Sequence, residues 1–321
     1  MTDMAKVTTT RKIKKEILTN VTGFLDACCQ KAFLSGVFFA IGSLTIRGRD
    51  MVVSLSTENE QLLKVVQSIM QTRYGEYCEY APVYNNKVKN KTVFEMVVHC
   101  TDAMYDAHVL VNDGGMTLAD SIHPSVAEKD CCSRSFVKGL FVGCGTASFP
   151  PENSNSGYHL EFFVSRPAVA DSLVEFLGTK GFHFKQSTRG DGVVVYVKDS
   201  GTVADLLSYM DAPQSLFELE NLLVNKSIRN TVNRQQNCYI ANLGKAVAAS
   251  VKQVKAIEYI EREKGLDYLP DNLAAVARAR LADTSASLEE LSEQFEGLTK
   301  SGIAHRLRKI EQIAKKLGKE D

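Results

Sequence analysis

The chain has 321 residues, with 38 basic side chains, 38 acidic side chains and an apolar share of 44%. This length fits about two folded domains, and the composition excludes collagen, wholesale disorder and a membrane-spanning protein. The formal net charge of zero says nothing about a charged partner. Eight cysteines without a Cys-x-x-Cys spacing predict reduced thiols rather than a disulfide scaffold or a zinc site.

The basic residues near the N-terminus are not interpreted as the start of a signal peptide. The cluster at residues 11–15 precedes a stretch that Asn20 and Asp26 interrupt, and no small-residue cleavage pattern follows. The protein is therefore expected in the cytoplasm, without a membrane as partner.

An internal repeat occupies the first two thirds of the chain. Residues 27–43 align without a gap with residues 130–146. The identical pairs are Cys28/Cys131, Cys29/Cys132, Phe33/Phe136, Gly36/Gly139, Phe38/Phe141 and Gly42/Gly145. Strand, helix and strand patterns follow each copy, at 51–55, 58–72 and 93–98 and at 160–164, 168–177 and 193–197, with a hairpin turn at 189–192. The two units are predicted to form one pseudo-symmetric α+β domain.

The repeated helix carries small residues four positions apart, Gly36 and Ala40 in the first copy and Gly139 and Gly143 in the second. This spacing places them on one face, where two helix backbones can approach closely. In this feature the chain resembles the LAGLIDADG homing endonucleases, whose two signature helices form the interface between half-domains. The resemblance implies sheets that form a saddle facing DNA.

The same resemblance provides a test for nuclease chemistry. A LAGLIDADG nuclease needs an acidic residue one position before the last glycine of each motif, where it holds a divalent metal. Those positions here are Ile41 and Cys144, and neither is a hard oxygen ligand for Mg²⁺. The catalytic metal site is expected to be absent, so no catalytic residue, metal or cofactor is assigned.

Each copy of the repeat opens with two adjacent cysteines, Cys28-Cys29 and Cys131-Cys132. Adjacent side chains on a helix point about 100° apart, so the two members of a doublet would not readily reach one metal. The doublets are interpreted as packing residues at helix starts, and Cys144 as a small buried hydrophobic residue.

The composition changes after the repeat ends near Met210. Residues 225–257 contain no acidic residue and six basic ones: Lys226, Arg229, Arg234, Lys245, Lys252 and Lys255. This pattern predicts a positive stripe, for which a solvated helix face is the alternative interpretation. Residues 242–263 are predicted to form one long connecting helix that ends at Gly265.

Three short helices are predicted near the C-terminus. Asp271 is expected to cap the first, Ser287 and Glu290 form a capping box that opens the second, and Thr299 caps the third after a turn at 296–298. The buried face of the third helix is predicted to consist of Ile303, Leu307, Ile310, Ala314 and Leu317. A glycine-containing turn before a basic last helix is typical of a helix-turn-helix.

Directions around the third helix indicate which side chains would contact DNA. With 100° per residue and Ile303 at the centre of the buried face, the outward residues of the first turns are Ser301, His305 and Arg308. These three are the predicted base-reading residues. Phosphate contacts are predicted on the flanks and on the basic stripe, at Lys300, Arg306, Lys309, Lys226, Arg229, Arg234 and Lys245.

Taken together, three features resemble the WhiA family. They are the repeat with eroded LAGLIDADG motifs, the segment RNTVNRQQNCYIANLGK at 229–245, and the segments SLEEL at 287–291 and KSGIAHRLRKI at 300–310. The resemblance covers nearly the whole chain. It implies a bacterial transcription regulator of cell division, chromosome segregation and sporulation, in which a catalytically inactive homing-endonuclease fold precedes a helix-turn-helix.

The predicted fold class is α+β, a duplicated LAGLIDADG-type domain followed by an all-α helix-turn-helix domain. The expected boundaries are 1–111 for the first half, 112–129 for the connection, 130–210 for the second half, 211–270 for a basic helical linker and 271–321 for the helix-turn-helix.

Three functions are compatible with this sequence: a sequence-specific DNA-binding regulator, a structural cell-division factor with incidental DNA contacts, and a metal-dependent DNA endonuclease. Double-stranded DNA is the expected partner, and transcription or division proteins are further candidate partners. The expected location is the cytoplasm, in association with the nucleoid.

Overall fold

The computed structural model describes residues 8–21, 26–83, 92–99, 101–112, 114–151, 154 and 156–318. Contacts divide the chain into two units, Met1–Lys226 and Ser227–Asp321. Each unit has its own hydrophobic core. None of the helices in the described ranges combines the length and the apolar character that crossing a bilayer requires.

Among the described residues of the first unit, the helix α1 (Thr9–Val21) precedes two copies of one arrangement of helices and strands. The first copy consists of α2 (Ala27–Ile41), β1 (Gly42–Arg47), β2 (Asp50–Thr57), α3 (Glu60–Tyr74), β3 (Tyr80–Val83), β4 (Val93–Val98) and α4 (Thr101–Asp106). A two-stranded ribbon, β5 (Leu110–Asn112) and β6 (Met116–Leu118), and a 3₁₀ turn at Pro124–Ala127 connect the copies. The second copy consists of α5 (Asp130–Cys144), β7 (Gly145–Ser148), β8 (His159–Val164), α6 (Pro167–Thr179), β9 (Lys185–Arg189), β10 (Gly192–Val197) and α7 (Ser200–Tyr209).

Each copy folds its strands into a four-stranded antiparallel sheet with the same topology. The strand orders are β1-β2-β4-β3 and β7-β8-β10-β9. Alternate residues of the central strands, such as Val53 and Leu55 in β2 and Leu160 and Phe162 in β8, are buried in the core. Every second side chain of a strand points to the same face, so these residues define the face that packs on the core. Ser54 and Glu161 between them lie on the opposite face and are also buried. The pseudo-symmetric α+β domain predicted from the repeat is confirmed.

The two repeated helices, α2 and α5, pack directly against each other through their glycines. A Cβ atom added to Gly139 would overlap the carbonyl oxygen of Phe33 and lie 3.1 Å from the backbone nitrogen of Val37. In the other helix, a Cβ atom added to Gly36 would overlap the carbonyl oxygen of Phe136. The predicted small-residue seam is confirmed, because the backbones are close enough that glycine alone fits at these two positions.

One continuous helix, α8 (Pro213–Lys264), spans 52 residues. It is longer than the helix predicted at 242–263, because no glycine or proline occurs between residues 214 and 243 to end it. In the first unit, the Glu16 carboxylate of α1 accepts hydrogen bonds from the backbone N–H groups of Gln214 (2.6 Å) and Ser215 (3.1 Å). This carboxylate satisfies N–H groups that a helix start leaves unpaired, and its charge complements the helix dipole.

The second unit contains the end of α8, a 3₁₀ turn at Leu266–Tyr268, and the helices α9 (Asp271–Ala282), α10 (Leu288–Glu293) and α11 (Lys300–Leu317). The predicted capping box is confirmed: the Ser287 hydroxyl accepts the N–H of Glu290 at 3.2 Å, and the Glu290 carboxylate accepts the N–H of Ser287 at 2.6 Å. Gly297, in the predicted turn before α11, has a φ of 72°. The predicted helix-turn-helix architecture is therefore confirmed.

The prediction that Asp271 caps α9 is wrong. Asp271 is the first residue of the helix, Pro270 occupies the N-cap position, and no side chain makes a capping hydrogen bond there. The carbonyl oxygen of Pro270 instead accepts the N–H groups of Leu273 and Ala274. The Asp271 carboxylate still lies in the first turn, where the helix dipole favours a negative charge.

Candidate nucleic-acid interface

The last helix, α11, has a buried apolar face and an exposed polar face. The five residues predicted to be buried are all buried: Ile303, Leu307, Ile310, Ala314 and Leu317. Ser301, His305 and Arg308 are exposed. The Thr299 hydroxyl accepts the N–H of Gly302 at 3.2 Å and so caps the helix as predicted. The buried face is confirmed, and the exposed first turns are available to a ligand.

The basic residues on the flanks of α11 differ in their intramolecular contacts. The Lys300 ammonium lies 3.3 Å from the Glu289 carboxylate of α10. The partly buried Arg306 donates a hydrogen bond of 3.3 Å to the carbonyl oxygen of Asn272 in α9. Lys309 is exposed. Arg306 therefore helps to hold α11 against α9, in addition to the phosphate contact predicted for it.

The middle of α8 carries the basic stripe on its surface. Arg234 and Lys245 are exposed. At 100° per residue, these two and Lys252 fall within about 20° of one another around the helix axis. Lys252 forms a 2.7 Å ion pair with Glu311 of α11. Arg234, Lys245 and Lys252 thus form one row along the helix, whereas Lys226 and Arg229 lie about 80° and about 140° around the axis from Arg234.

The two predicted phosphate contacts at the start of the stripe, Lys226 and Arg229, are partly buried. The Lys226 ammonium lies 5.4 Å from the centre of the Tyr158 ring, close enough for a cation–π attraction. Arg234 and Lys245 are therefore the more accessible members of this set.

The uncovered faces of the two sheets bear basic groups that are matched by acidic partners. On the first sheet, Arg47 forms a 2.8 Å ion pair with Glu95. On the second, Arg189 donates hydrogen bonds of 2.7 and 2.8 Å to the two carboxylate oxygens of Glu161. Within the described strands of these sheets, the remaining lysine or arginine is the exposed Lys185 of β9. Just outside the strands, the exposed Arg49 and Lys198 add further positive charge, so the matching by acids applies to Arg47 and Arg189.

Glu161 is unusual because its side chain is only 10% exposed and carries a charge. Burial raises the pKa of its carboxyl, but hydrogen bonds from Arg189 and His159 outweigh burial and lower the pKa to about 2. The usual value is 4.5. The resulting stabilisation is present above about pH 4.5 and is lost as the pH falls towards 2.

We expect Glu161→Gln to lower the free energy of unfolding by about 1–2 kcal/mol near neutral pH. The difference in the free energy of unfolding between the variant and the unmodified chain should narrow as the pH falls below about 4.5. In that range the unfolded chain binds a proton at Glu161 that the native state does not yet bind. Urea unfolding at several pH values measures this. Glu175→Gln, which removes an exposed carboxylate of α6, is the control. A difference that does not change with pH would contradict the assigned role of the charge.

The ends of α2 and α5 lack the carboxylates that a LAGLIDADG nuclease would place there. Ile41 and Cys144 pack against the core instead. Burial raises the pKa of the Cys144 thiol to about 12, so that it stays protonated near neutral pH. Lys14 of α1 lies at the same place, with its amino group 3.4 Å from the carbonyl oxygen of Gly143. A positive charge beside this position opposes the binding of a divalent cation.

The two cysteine doublets come together at the N-terminal ends of α2 and α5, away from Ile41 and Cys144. The sulfur atoms of Cys28, Cys29, Cys131 and Cys132 all lie within 4.8 Å of one another. The expectation that adjacent cysteines would point too far apart to converge is wrong, because two packed helices bring both doublets to one place. The signal in the sequence was the identity of the doublets at the same position of both repeats.

Comparison with known protein families supports this architecture over most of the chain. The model of the WhiA N-terminal LAGLIDADG-like domain matches residues 27–107, that of the WhiA LAGLIDADG-like domain matches 133–229, and that of the WhiA C-terminal HTH domain matches 232–314. The chain belongs to the WhiA family. The resemblance inferred from the repeat and the C-terminal segments is thereby confirmed.

Individual WhiA relatives match this chain over nearly its whole length. The probable cell division protein WhiA of Anoxybacillus flavithermus is 32% identical over 320 residues, which cover 98% of this chain and 96% of the relative. The protein of the same name from Bacillus mycoides is 32% identical over 308 residues, which cover 95% of each chain. Both relatives are named as cell division proteins rather than as enzymes.

A solved WhiA structure has the same fold. Full-length DUF199/WhiA from Thermotoga maritima superposes with a TM-score of 0.60 at 22% sequence identity, covering 97% of this chain and 99% of the other. This similarity shows that the two chains share one fold over nearly their whole length.

In this WhiA-family chain, we expect no metal-dependent DNA cleavage. The purified protein should leave bound DNA intact in Mg²⁺ or Mn²⁺, because Ile41 and Cys144 cannot supply the oxygen ligands that these ions require. Gel electrophoresis of supercoiled plasmid measures the outcome, with an active LAGLIDADG nuclease in the same buffer as the positive control. Specific double-strand cutting that needs the metal and survives repeated purification would contradict this expectation.

Proposed function

We propose that this chain is a sequence-specific DNA-binding transcription regulator that acts in bacterial cell division, chromosome segregation and sporulation. We also propose that its homing-endonuclease-like domain is catalytically inactive. The observation that carries the proposal is the exposed, basic, capped N-terminal half of α11, at the place of a recognition helix in a helix-turn-helix. Membership of a family whose relatives are named cell division proteins supports the cellular role.

The exposed side of α11 supports a division of roles among its side chains. A recognition helix enters the major groove with its N-terminal turns, so Ser301, His305 and Arg308 are assigned to base edges. Lys300, Arg306 and Lys309 flank them and are assigned to phosphates, which position a protein without reading sequence.

The basic stripe of α8 is assigned to the phosphate backbone as well. The assigned residues are Lys226, Arg229, Arg234 and Lys245. Because Arg47 and Arg189 on the sheets of the first unit are each paired with an acid, the helical half of the chain is the proposed DNA-binding part. Double-stranded DNA is the proposed partner. The proposed location is the cytoplasm, in association with the nucleoid.

The mapping of bound sites in living cells tests this function. We expect crosslinking of the tagged full-length chain to recover discrete sites that share one sequence, and depletion of the protein to change transcription of the adjacent genes. Binding spread without a shared sequence, together with unchanged transcription, would favour a structural cell-division factor with incidental DNA contacts. That result would overturn the proposal.

The double variant Arg234→Ala, Lys245→Ala tests the stripe of α8. We expect weaker binding to both the specific site and a scrambled duplex, by a similar factor, because phosphates are the same in every sequence. The slope of log affinity against log salt should become shallower by about two counterions. Lys185→Ala on the sheet surface is the control and should change neither quantity. A loss confined to the specific site would show that the stripe reads bases.

A further inference from the structure

The four-cysteine cluster at the starts of α2 and α5 has the dimensions of a metal site. In a tetrahedral zinc centre with Zn–S bonds of about 2.3 Å, the sulfur atoms lie roughly 3.8 Å apart. The sulfur atoms of Cys131 and Cys132 are 3.9 Å apart, and all four sulfur atoms of the cluster fall within 4.8 Å. Small rotations of the side chains can shorten the longest sulfur–sulfur distances by about 1 Å, which would complete the tetrahedron.

Burial raises the pKa of the Cys29 and Cys132 thiols, and other features of the surroundings offset this cost of forming thiolates. Both doublets lie in the first turn of a 15-residue helix, where the positive end of the dipole stabilises negative charge and favours ionised cysteine. Lys129 immediately precedes α5. The nearby Asp130 carboxylate is paired with Arg134 at 2.8 Å, which offsets its repulsion of thiolates. The site thus supplies positive potential where four sulfur ligands would concentrate negative charge.

Burial differs among the four cysteines in a way that suits a structural metal. Cys29 and Cys132 are each 5% exposed, whereas Cys131 is exposed and Cys28 is partly buried. Two ligands therefore belong to the core, and two lie at the surface, where an ion can enter. A fully buried set would have no entry path.

The ligand set selects the class of metal. Four sulfur donors suit zinc, whereas Mg²⁺ and Ca²⁺ require oxygen. In an iron–sulfur cluster, several irons and sulfides separate the cysteine sulfurs, so the ligands would lie farther apart than they do here. The compactness of the four sulfur atoms therefore points to a single ion.

We propose that Cys28, Cys29, Cys131 and Cys132 bind one Zn²⁺ ion as four thiolates. Each thiol releases its proton to solvent when the ion binds, and no group is oxidised or reduced. Two ligands come from each copy of the repeat, so the ion joins the first turns of α2 and α5. It fixes the two halves of the duplicated domain at the end opposite Lys14 and Cys144. This role is separate from the proposed reading of DNA by α11.

The zinc content of the full-length chain, purified in reductant without a metal-binding tag, tests the proposal. We expect about one zinc per chain by inductively coupled plasma mass spectrometry, as for a structural tetrathiolate site. Cys131→Ser should reduce the bound zinc at least about tenfold, because a hydroxyl replaces a ligand. Cys238→Ser changes an exposed cysteine of α8 and should retain the metal.

Replacement of the metal by Co²⁺ tests the geometry without any substitution. We expect the unmodified chain to give the intense visible bands of a four-coordinate cobalt thiolate, and Cys131→Ser to lose them while its far-ultraviolet circular dichroism is unchanged. A six-coordinate cobalt spectrum would overturn the proposal. So would a chain that retains no zinc after equilibration with a micromolar excess, or a disulfide between the doublets in the reduced, purified protein.

Discussion

Gly139→Ala is expected to lower the free energy of unfolding of the first unit by about 3 kcal/mol, the upper part of the usual range for overpacking a core. The added methyl group would overlap the carbonyl oxygen of Phe33, which is backbone and cannot rotate away. The helices α2 and α5 would have to separate, and the buried Phe33, Phe136 and Leu140 would lose contacts along the seam. Urea unfolding followed by circular dichroism measures the loss.

The pseudo-symmetry of the domain supplies a second variant, and another helix supplies a control. Gly36→Ala should have an effect of similar size, since its methyl group would overlap the carbonyl oxygen of Phe136. Gly178→Ala in α6 places a methyl group where nothing lies within 4 Å. Because alanine is the better helix former, this control should be neutral or stabilising by up to about 1 kcal/mol. A Gly139→Ala protein as stable as the control would refute the close approach of the backbones.

The features that the sequence predicted correctly are those with a local periodic signal or a repeated one. The five buried residues of α11 recur with helical spacing, so their common face follows from 100° per residue alone. The pairing of α2 with α5 was indicated by the glycines at equivalent positions, because two similar sequences fold alike and small residues mark a close contact.

The features that the sequence did not reveal depend on how distant segments meet in space. The approach of Lys14 to Gly143 requires α1 to lie at the end of the repeated helices, and no periodicity encodes that placement. The convergence of the doublets depends on the relative rotation of α2 and α5. The 100° separation of neighbouring side chains within one helix does not include this rotation, so the expectation for Cys131 and Cys132 was wrong.

The same limit applies to the proposed interface. The exposed positions of Ser301, His305 and Arg308 follow from helix geometry and agree with the structure. The contact of Arg306 with the carbonyl oxygen of Asn272 does not follow from geometry within α11, because it depends on the packing of α9. A substitution of Arg306 would therefore combine effects on stability and on DNA binding, and Lys309 is the better choice for testing a phosphate contact.

Arg308→Ala is expected to weaken binding to the specific site by about 1–3 kcal/mol and to relax the preference at one base pair. The expected base at that pair is guanine, because a guanidinium can donate two hydrogen bonds to the O6 and N7 atoms of guanine. In the structure, the Nε of Arg308 donates to the carbonyl oxygen of Ala304 at 3.3 Å, which leaves the terminal nitrogens of an exposed side chain for the base edge. Binding to a scrambled duplex should change little.

Lys309→Ala is the matched comparison, since it removes an exposed cation from the next position of the same helix. It should weaken binding to specific and scrambled DNA alike and make the salt dependence shallower by about one counterion. Fluorescence anisotropy on both duplexes across a salt series separates the two roles. Equal losses on the two duplexes for Arg308→Ala would assign Arg308 to a phosphate, and the reading of sequence would then have to come from Ser301 and His305.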